Sequence, residues 1–380
     1  MKEGWEYKKL KDVALYSIGL TYKPSDVNEE GTIVLRSSNI QNDKLDLNDI
    51  VKVSCPIKES LYVQKDDILM CSRNGSAKLV GKVALIPEIK ERMTYGTFMM
   101  VIRSVYNPYL FYYFKSENFR NQIKHGEANM INQITRYMLD DVYLYVPPLS
   151  EQQRIVDYLD SAFAKIDAMK ANAEKSLNEA KALFQAALKE MLEPKEGWEE
   201  KTLKEICKVI NGRAYSKDEM LKQGKYRVLR VGNFFTNDSW YYSDLELEED
   251  KYCDNGDLLY AWSASFGPRI WDGEKVIYHY HIWKMVCSSK IDKYFLCYWL
   301  DSDELKKQAM TNLHGATMAH ITKGIIEAAH VSFPPLSEQQ TIVATLDSLK
   351  SKVDRLQANF EKIAQECDAL KQAILRQIFE

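Results

Sequence analysis

Seven cysteines are present, at positions 55, 71, 207, 253, 287, 297 and 367, yet no two fall in a C-x-x-C spacing. An odd, scattered set argues against a disulfide framework or a zinc site and for reduced thiols. Long apolar runs are lacking too. The longest, Tyr294 to Leu300, is far too short to span a bilayer. The first residues, MKEGWEYKKLKD, have no apolar h-region, so the expectation is a cytoplasmic protein without a signal peptide. Charge of one sign is missing as well. With 51 basic and 54 acidic residues the net charge is −3, which excludes a bulk-cationic binder but leaves local patches open.

Catalytic signatures are equally scarce. There is no GxxxxGK[ST] phosphate loop and no GxGxxG opening a helix. Asn107-Pro108-Tyr109 resembles an NPPY motif but lacks the second proline, and reads better as a helix start. Glu88-Ile89-Lys90 has the ExK form of some nucleases, with Asp67 upstream, but the adjacent Pro87 suggests a surface turn. His279 and His281 alternate on a predicted strand without a visible third ligand. The expectation is a chain with no catalytic residues, no metal site and no cofactor of its own.

What is present is a repeat. Residues 147–161 (PPLSEQQRIVDYLDS) and 334–348 (PPLSEQQTIVATLDS) agree at 12 of 15 positions. Residues 4–22 and 197–215, both opening Gly-Trp-Glu, agree at 8 of 19. Fainter matches keep the same order between these anchors. Val34-Leu35-Arg36 with Asn39 answers to Val228-Leu229-Arg230 with Asn233, and Asp67-Ile68-Leu69 answers to Asp257-Leu258-Leu259. A period this long indicates duplicated domains, not a solenoid.

Each copy begins with about 140 residues of short β-like runs (Thr32–Arg36, Ile68–Cys71, Phe98–Arg103, Val142–Val146 in the first) and a helical stretch near Pro108–Lys124. A helix follows in each. Paired prolines precede Ser150 and Gln153, and Ser337 and Gln340, so a capping box is predicted twice. The apolar series Ile342, Leu346, Leu349, Val353, Leu356, Phe360, Ile363, Cys367, Leu370 and Ile374 is a heptad seam. The first helix carries Ile155, Leu159, Ala162, Ile166, Met169 and Ala173, then steps by one residue to Leu177, Ala180, Phe184, Ala187 and Met191. The predicted division is 1–148, a domain; 149–196, a helix; 197–335, a second domain; and 336–380, a second helix. Connectivity requires the helices to run antiparallel if they pair. The fold class is therefore α/β (α+β): two similar mixed domains, two long helices in an antiparallel coiled coil, and pseudo-twofold internal duplication.

Charge is segregated inside the domains. Residues 71–103 hold six basic residues against two acidic, and 201–230 hold nine against three, whereas 238–257 hold eight acidic and one basic. In each copy an Asp-Ile-Leu or Asp-Leu-Leu strand runs into a Ser/Gly-rich loop. The first contains Ser72, Arg73, Asn74, Ser76 and Lys78; the second contains Trp262, Ser263, Ser265 and Arg269. Arg and Asn are the side chains that pair bidentately with guanine and adenine, and small residues let backbone approach phosphate. An ordinary hairpin turn is the competing reading of both loops.

The duplicated Gly-Trp-Glu start, PPLSEQQ and long heptad helix resemble the specificity subunit of type I restriction-modification systems over the full length. The resemblance implies a non-catalytic, double-stranded-DNA-binding subunit whose two target-recognition domains each read half of a bipartite sequence. It implies that the helices space these domains, as a ruler, and dock two modification subunits. S-adenosylmethionine, ATP and Mg would belong to those modification subunits and to restriction subunits. Candidate DNA-binding residues are Arg36, Asn39, Arg230, Asn233 and the loop residues above, with bracing of the domain core as the alternative for the Arg/Asn pairs. Candidate docking residues are Glu151, Gln152, Glu338 and Gln339, with compensation of the helix dipole as the alternative. A fused restriction-methylation partner outside type I, or a coiled-coil spacer between protein-binding domains, are the rival readings.

Overall fold

The computed structural model describes residues 4–124, 133–263, 265–312 and 322–380. The chain divides into two compact units, residues 1–173 with 360–380, and residues 174–359.

The first unit is built on a six-stranded sheet in the order Leu15–Ile18, Met99–Arg103, Ile68–Cys71, Val83–Leu85, Lys44–Leu45, Ile40–Gln41. A three-stranded sheet (Val51–Val53, Val27–Leu35, Met93–Tyr95) covers one of its faces. The strand Ile68–Cys71 shows why the sequence there is continuously apolar. Ile68 and Met70 enter the core beneath the helices, while Leu69 and Cys71 enter the core between the sheets. A strand buried on both faces has no polar alternation to show. The predicted helical stretch near Pro108–Lys124 is two helices, Asn107–Phe114 and Glu117–Lys124, separated at the buried Ser116.

The second unit repeats the plan with four strands (Cys207–Asn211, Ile282–Cys287, Leu258–Ser263, Ser265–Ile270) against four (Tyr241–Ser243, Tyr226–Leu229, Val276–Tyr278, Tyr252–Cys253). Leu258 and Tyr260 face the helices while Leu259 and Ala261 face the second sheet. In each unit a further two-stranded ribbon ties the Gly-Trp-Glu segment to the strand before the paired prolines: Glu6–Lys9 with Tyr143–Val146, and Glu199–Thr202 with His330–Phe333. The two sequence anchors of each repeat are therefore neighbours in space.

The long helices are Leu149–Leu192 and Leu336–Phe379, 44 residues each. They start two residues earlier than the capping boxes would allow. The N–H groups of Glu151 and Gln152 donate to the Pro148 carbonyl (2.9 and 3.0 Å), and those of Glu338 and Gln339 to Pro335 (2.9 and 3.1 Å). Gln153 instead turns outward to Asp157 (2.8 Å), so the boxes do not form. The residue before each Gln153-like position does the fastening. Gln152 Nε2 folds back onto the Pro147 carbonyl, and Gln339 Nε2 onto Pro334, both at 2.7 Å.

Within each unit the helix segments run antiparallel. In the first, Lys170 reaches Asp368 (3.5 Å) and Lys371 reaches Asp167 (2.5 Å). In the second, Lys181 reaches Gln357 (2.8 Å), and Leu188 shares a core with Ile342, Val343 and Leu346. The seam of the first helix has no step. It passes through Phe163 and Lys170 in place of Ala162 and Met169, so from Leu159 onward the spacing alternates four and three, and Met169 is 60% exposed. Phe163 wins because its ring is buried against Tyr112 (5.4 Å), and Lys170 lays its stem along the seam with the amine at the edge. On the second helix Leu356 and Leu370 are likewise displaced outward by Gln357 and Lys371.

Each domain is gripped by two helix ends. The first packs on Val156, Leu159 and Phe163 and on Leu375 and Phe379; the second packs on Leu188 and on Ile342, Val343 and Leu346. The aspartate of the repeated Leu-Asp-Ser makes the matching polar contact: Tyr112 donates to Asp160, and Tyr298 to Asp347 at 2.6 Å. Burial, then the neighbouring carboxylate, raises both phenols well above their ordinary range, which keeps them donors.

Candidate nucleic-acid interface

Glu88 lies in a loop and pairs with Lys65 (3.2 Å), while Asp67 is buried and held bidentately by Arg103 (2.7 and 2.6 Å). The ExK reading has no assembled ligand set. Asn107 is also a brace, its Nδ2 donating to the carbonyls of Asp66 and Ile102 (2.8 and 3.0 Å). His279 and His281 do not alternate on a strand: the strand ends at Tyr278, His279 forms an isolated bridge with Arg213, and His281 lies in the turn that follows. Among the described residues no group of three or more His, Cys, Asp or Glu is placed to hold a metal ion, and no helix is long and apolar enough to cross a membrane.

That turn is the centre of the site. In both units the chain crosses from one sheet to the other through a short exposed link, Gly96-Thr97-Phe98 in the first and His279-Tyr280-His281 in the second. Phe98 is 54% exposed and Tyr280 39%. A glycine of the repeated N-terminal motif makes room for each link. A Cβ on Gly19 would lie 2.2 Å from the Tyr95 carbonyl oxygen, and one on Gly212 would lie 2.3 Å from that of His279. The sequence pairing of these glycines therefore has a steric cause. Reasoning from sequence missed the links themselves and placed Phe98 inside the run Phe98–Arg103, whereas the strand begins at Met99.

The Ser/Gly-rich loops lean on these links. In the first unit Ser72 Oγ and the N–H groups of Ser72 and Arg73 all donate to the Phe98 carbonyl (3.0 Å each), and the Arg73 guanidinium lies 5.5 Å from the Phe98 ring. Asn74 joins this loop to the next element, donating to Ser37 Oγ (3.1 Å) and accepting from the Ser76 N–H (2.9 Å). In the second unit Trp262 donates from its backbone to the His281 carbonyl (3.1 Å) and from Nε1 to the Tyr280 carbonyl (2.8 Å). The expected common loop frame is not kept. Both join antiparallel neighbours, but the first, between Ile68–Cys71 and Val83–Leu85, is long and bends through a 3-10 turn at Ala77–Leu79, whereas the second, between Leu258–Ser263 and Ser265–Ile270, is tight.

The candidates separate by role. Asn39 is fully buried; it accepts from the Arg36 N–H (2.8 Å) and donates to the carbonyls of Asp46 and Asp49 (2.8 and 2.9 Å). Asn233 does the same for Asn237 and Ser239 (2.8 Å each). Both are braces, the alternative reading of the Arg/Asn pairs. Arg36 is paired with Asp49 (2.9 Å), and Arg269 is held by the Phe234 carbonyl (2.7 Å) and Asp272 (2.9 Å). Ser72 and Ser263 are buried. Arg73, Ser76, Lys78, Arg230 and Ser265 point outward. Among the described residues, Arg73, Lys78 and Arg230 have no carboxylate partner; Arg230 sits 5.3 Å from the Tyr241 ring. Beside Arg230 lies a concavity of about 520 Å³ that also includes Lys222, Trp240 and Tyr241. Unpaired cations next to exposed rings suit a polyanion with stackable bases.

The helix-start candidates are corrected by burial. Gln152 is 4% exposed and Gln339 is not exposed at all, so neither can present a docking surface. Gln339 also donates to the Lys290 carbonyl (3.0 Å) and accepts from the Asp292 N–H (2.7 Å), locking the helix start to its domain. Glu151 is half-buried and pairs with Arg154 (3.1 Å), and Glu338 is exposed.

Comparison with known proteins agrees with this plan. The profile of the family described as Type I restriction modification DNA specificity domain matches twice, over residues 2–179 and 195–365. Curated relatives include the specificity subunits of the type I restriction enzymes StySPI of Salmonella potsdam and EcoKI of Escherichia coli K12. Each is 26% identical, across 100% of this chain and 89% of the relative. Among solved structures, a chain from work on complex assembly and conformational transition of the type I R-M system superposes with a TM-score of 0.77 at 19% identity, covering 99% of this chain and 97% of that one. The HsdS subunit from Thermoanaerobacter tengcongensis superposes with a TM-score of 0.57 at 20% identity, covering 100% and 97%. Two family matches on two copies of one fold place this chain in the type I restriction-modification DNA specificity family, as a non-catalytic DNA-recognising subunit.

Proposed function

We propose that each domain reads one half of a bipartite double-stranded target through its sheet-crossing link and the loop leaning on it. The observation that carries this is positional: both units put an exposed aromatic link and a polar loop at the same place in the fold, built from unlike residues. Phe98 with Arg73 serves one half-site, and Tyr280 with Trp262 and Arg230 serves the other. Arg73 and Lys78 are the first-unit cations available to guanine or phosphate; Ser76 and Ser265 offer hydroxyls at the loop tips. Lys78 also borders a concavity of about 630 Å³ in which Lys82 and Arg120 are further cations suited to phosphate, while Lys115 is paired with Asp43 and Lys371 with Asp167.

The helices in this reading space the domains and carry two modification subunits, with restriction subunits joining the same complex. Exposed apolar side chains on the helices, Tyr158, Met169 and Leu183 on the first and Leu356 and Leu370 on the second, support a docking role better than the buried glutamines do. S-adenosylmethionine, ATP and Mg act on those partners. Flipping a target adenine would be work for the modification subunit's pocket.

The test is an exchange. Replacing residues 197–333 with the corresponding domain of another specificity subunit, in the assembled complex, changes one half-site of the methylated sequence and leaves the other intact. A methylome in which both half-sites change, or neither, removes the one-domain, one-half-site reading.

A further inference from the structure

Two of the seven cysteines face each other directly. Cys207 opens the edge strand of the four-stranded sheet in the second unit, Cys287 ends its neighbour, and the ladder pairs them. The type of pair follows from the flanking hydrogen bonds. The Ser288 N–H donates to the Ile206 carbonyl (2.8 Å) and the Gly212 N–H to that of Ile282 (3.2 Å). Counting in twos from either end makes Cys207–Cys287 a non-hydrogen-bonded pair. Such pairs have Cα atoms about 4.5 Å apart and side chains on one face, inside the range a disulfide spans.

We propose that Cys207 and Cys287 form an oxidation site, which a hydroperoxide converts to a cross-strand disulfide. Cys287 is the partly exposed member and Cys207 is buried, which assigns the order of events. The Cys207 thiol beside it lowers the Cys287 thiol below its ordinary range, while the neighbouring Cys287, then burial, raises Cys207. The Cys287 thiolate attacks the terminal peroxide oxygen; the O–O bond breaks and the alcohol, or water from hydrogen peroxide, leaves with a proton. Cys207 sulfur then attacks the sulfenic sulfur, the S–S bond forms, the S–O bond breaks, and water leaves with the thiol proton. The two cysteines lose two electrons and two protons, and the peroxide is reduced.

The bond would join the strand leading into Gly212 and Arg213 to the strand leaving His279–His281, the two sides of the second unit's site. The first unit has no counterpart. One step beyond its Leu15–Arg103 pair stand Ala14 and Ser104. That supplies variants already accepted by the fold, Cys207→Ala and Cys287→Ser.

The experiment treats the reduced full-length chain with hydrogen peroxide and maps its peptides without reduction. The expected result is a linked pair of peptides carrying Cys207 and Cys287, two hydrogen masses lighter than their sum. The link is restored to free thiols by dithiothreitol and lost in either variant. A link from Cys287 to Cys297, sulfinic acid on Cys287 with Cys207 still a thiol, or no loss of either thiol at a dose that oxidises free cysteine in the same solution, each overturns the proposal. The unmutated chain decides the matter even if a variant folds poorly.

Discussion

The helix starts and the sheet-crossing links of the two units differ in opposite ways. At the starts, Pro147 to Gln153 and Pro334 to Gln340 are identical, and both structures fold the second-last residue of that run, Gln152 or Gln339, onto a proline carbonyl. At the links the backbone does the same thing in both units, yet Gly96-Thr97-Phe98 stands opposite His279-Tyr280-His281. Residue identity is kept where both copies must perform one mechanical task, fastening a helix to a domain. It is released where only backbone path is shared and the side chains face outward. Identity between copies therefore marks the frame, and difference on a common backbone marks the proposed reader.

The hardest test of the frame is its helix-end grip. Phe379→Ala removes a buried ring packed 5.2 Å from Tyr109 and should destabilise the first unit by about 3–5 kcal/mol. Chemical denaturation should show an early transition for the first unit alone; a single, unshifted transition would mean that the helix end is not part of its core.

A smaller effect should separate the two glutamines. Gln339→Ala leaves the Asp292 N–H and the Lys290 and Pro334 carbonyls without their partner, whereas Gln152→Ala leaves one recorded carbonyl contact. A buried group left unpaired costs about 1–3 kcal/mol, so the loss at Gln339 should exceed that at Gln152. Equal losses would break the claim that the second helix start is tied more firmly to its domain.

The readers should behave in the reverse manner. Tyr280→Ala and Phe98→Ala remove exposed rings, so unfolding midpoints should barely move. Binding to the corresponding half-site should weaken by about 1–3 kcal/mol if the ring stacks on a base. Competition against duplexes altered in one half-site at a time reads this out, and loss of stability with unchanged binding would assign the rings to packing.

The smallest expected difference is one of pH. Burial, then His281 and Arg230, lowers His279 to about 4 from an ordinary value of 6.5. The unfolded chain therefore takes up the proton first, and the second unit loses stability as pH falls from about 6.5 to 4. Gly96 occupies the matching place in the first unit, which lacks this contribution. His279→Gln should flatten part of the second unit's decline between pH 7 and 4.5; an unchanged slope would show that His279 is protonated without cost. Half-burial keeps the effect modest.

The repeat, the antiparallel sense of the helices, the strand Ile68–Cys71 and the lack of catalytic signatures were legible because they depend on period, connectivity and local residue type. Details that depend on competition between neighbours were not. Ala162 and Met169 fit a heptad as well as Phe163 and Lys170 do, and only the presence of Tyr112 beside the helix selects the ring. Ser150 and Gln153 satisfy a capping pattern, but Pro148 supplies its carbonyl two residues earlier and frees Gln153 for Asp157.

The candidate site shows the same division. Arg36 with Asn39, and Arg230 with Asn233, look alike in sequence, since both are charged or amide side chains after a buried strand. Tertiary structure places Asp49 beside Arg36 and leaves Arg230 beside Tyr241, so one cation is neutralised and the other remains available. Sequence alone determined that this chain is two copies of a domain and a helix, because duplication and amphipathic period are written along the chain. Which side chains stay exposed and unpaired was decided only by folding, because exposure and pairing belong to residues brought together from distant positions.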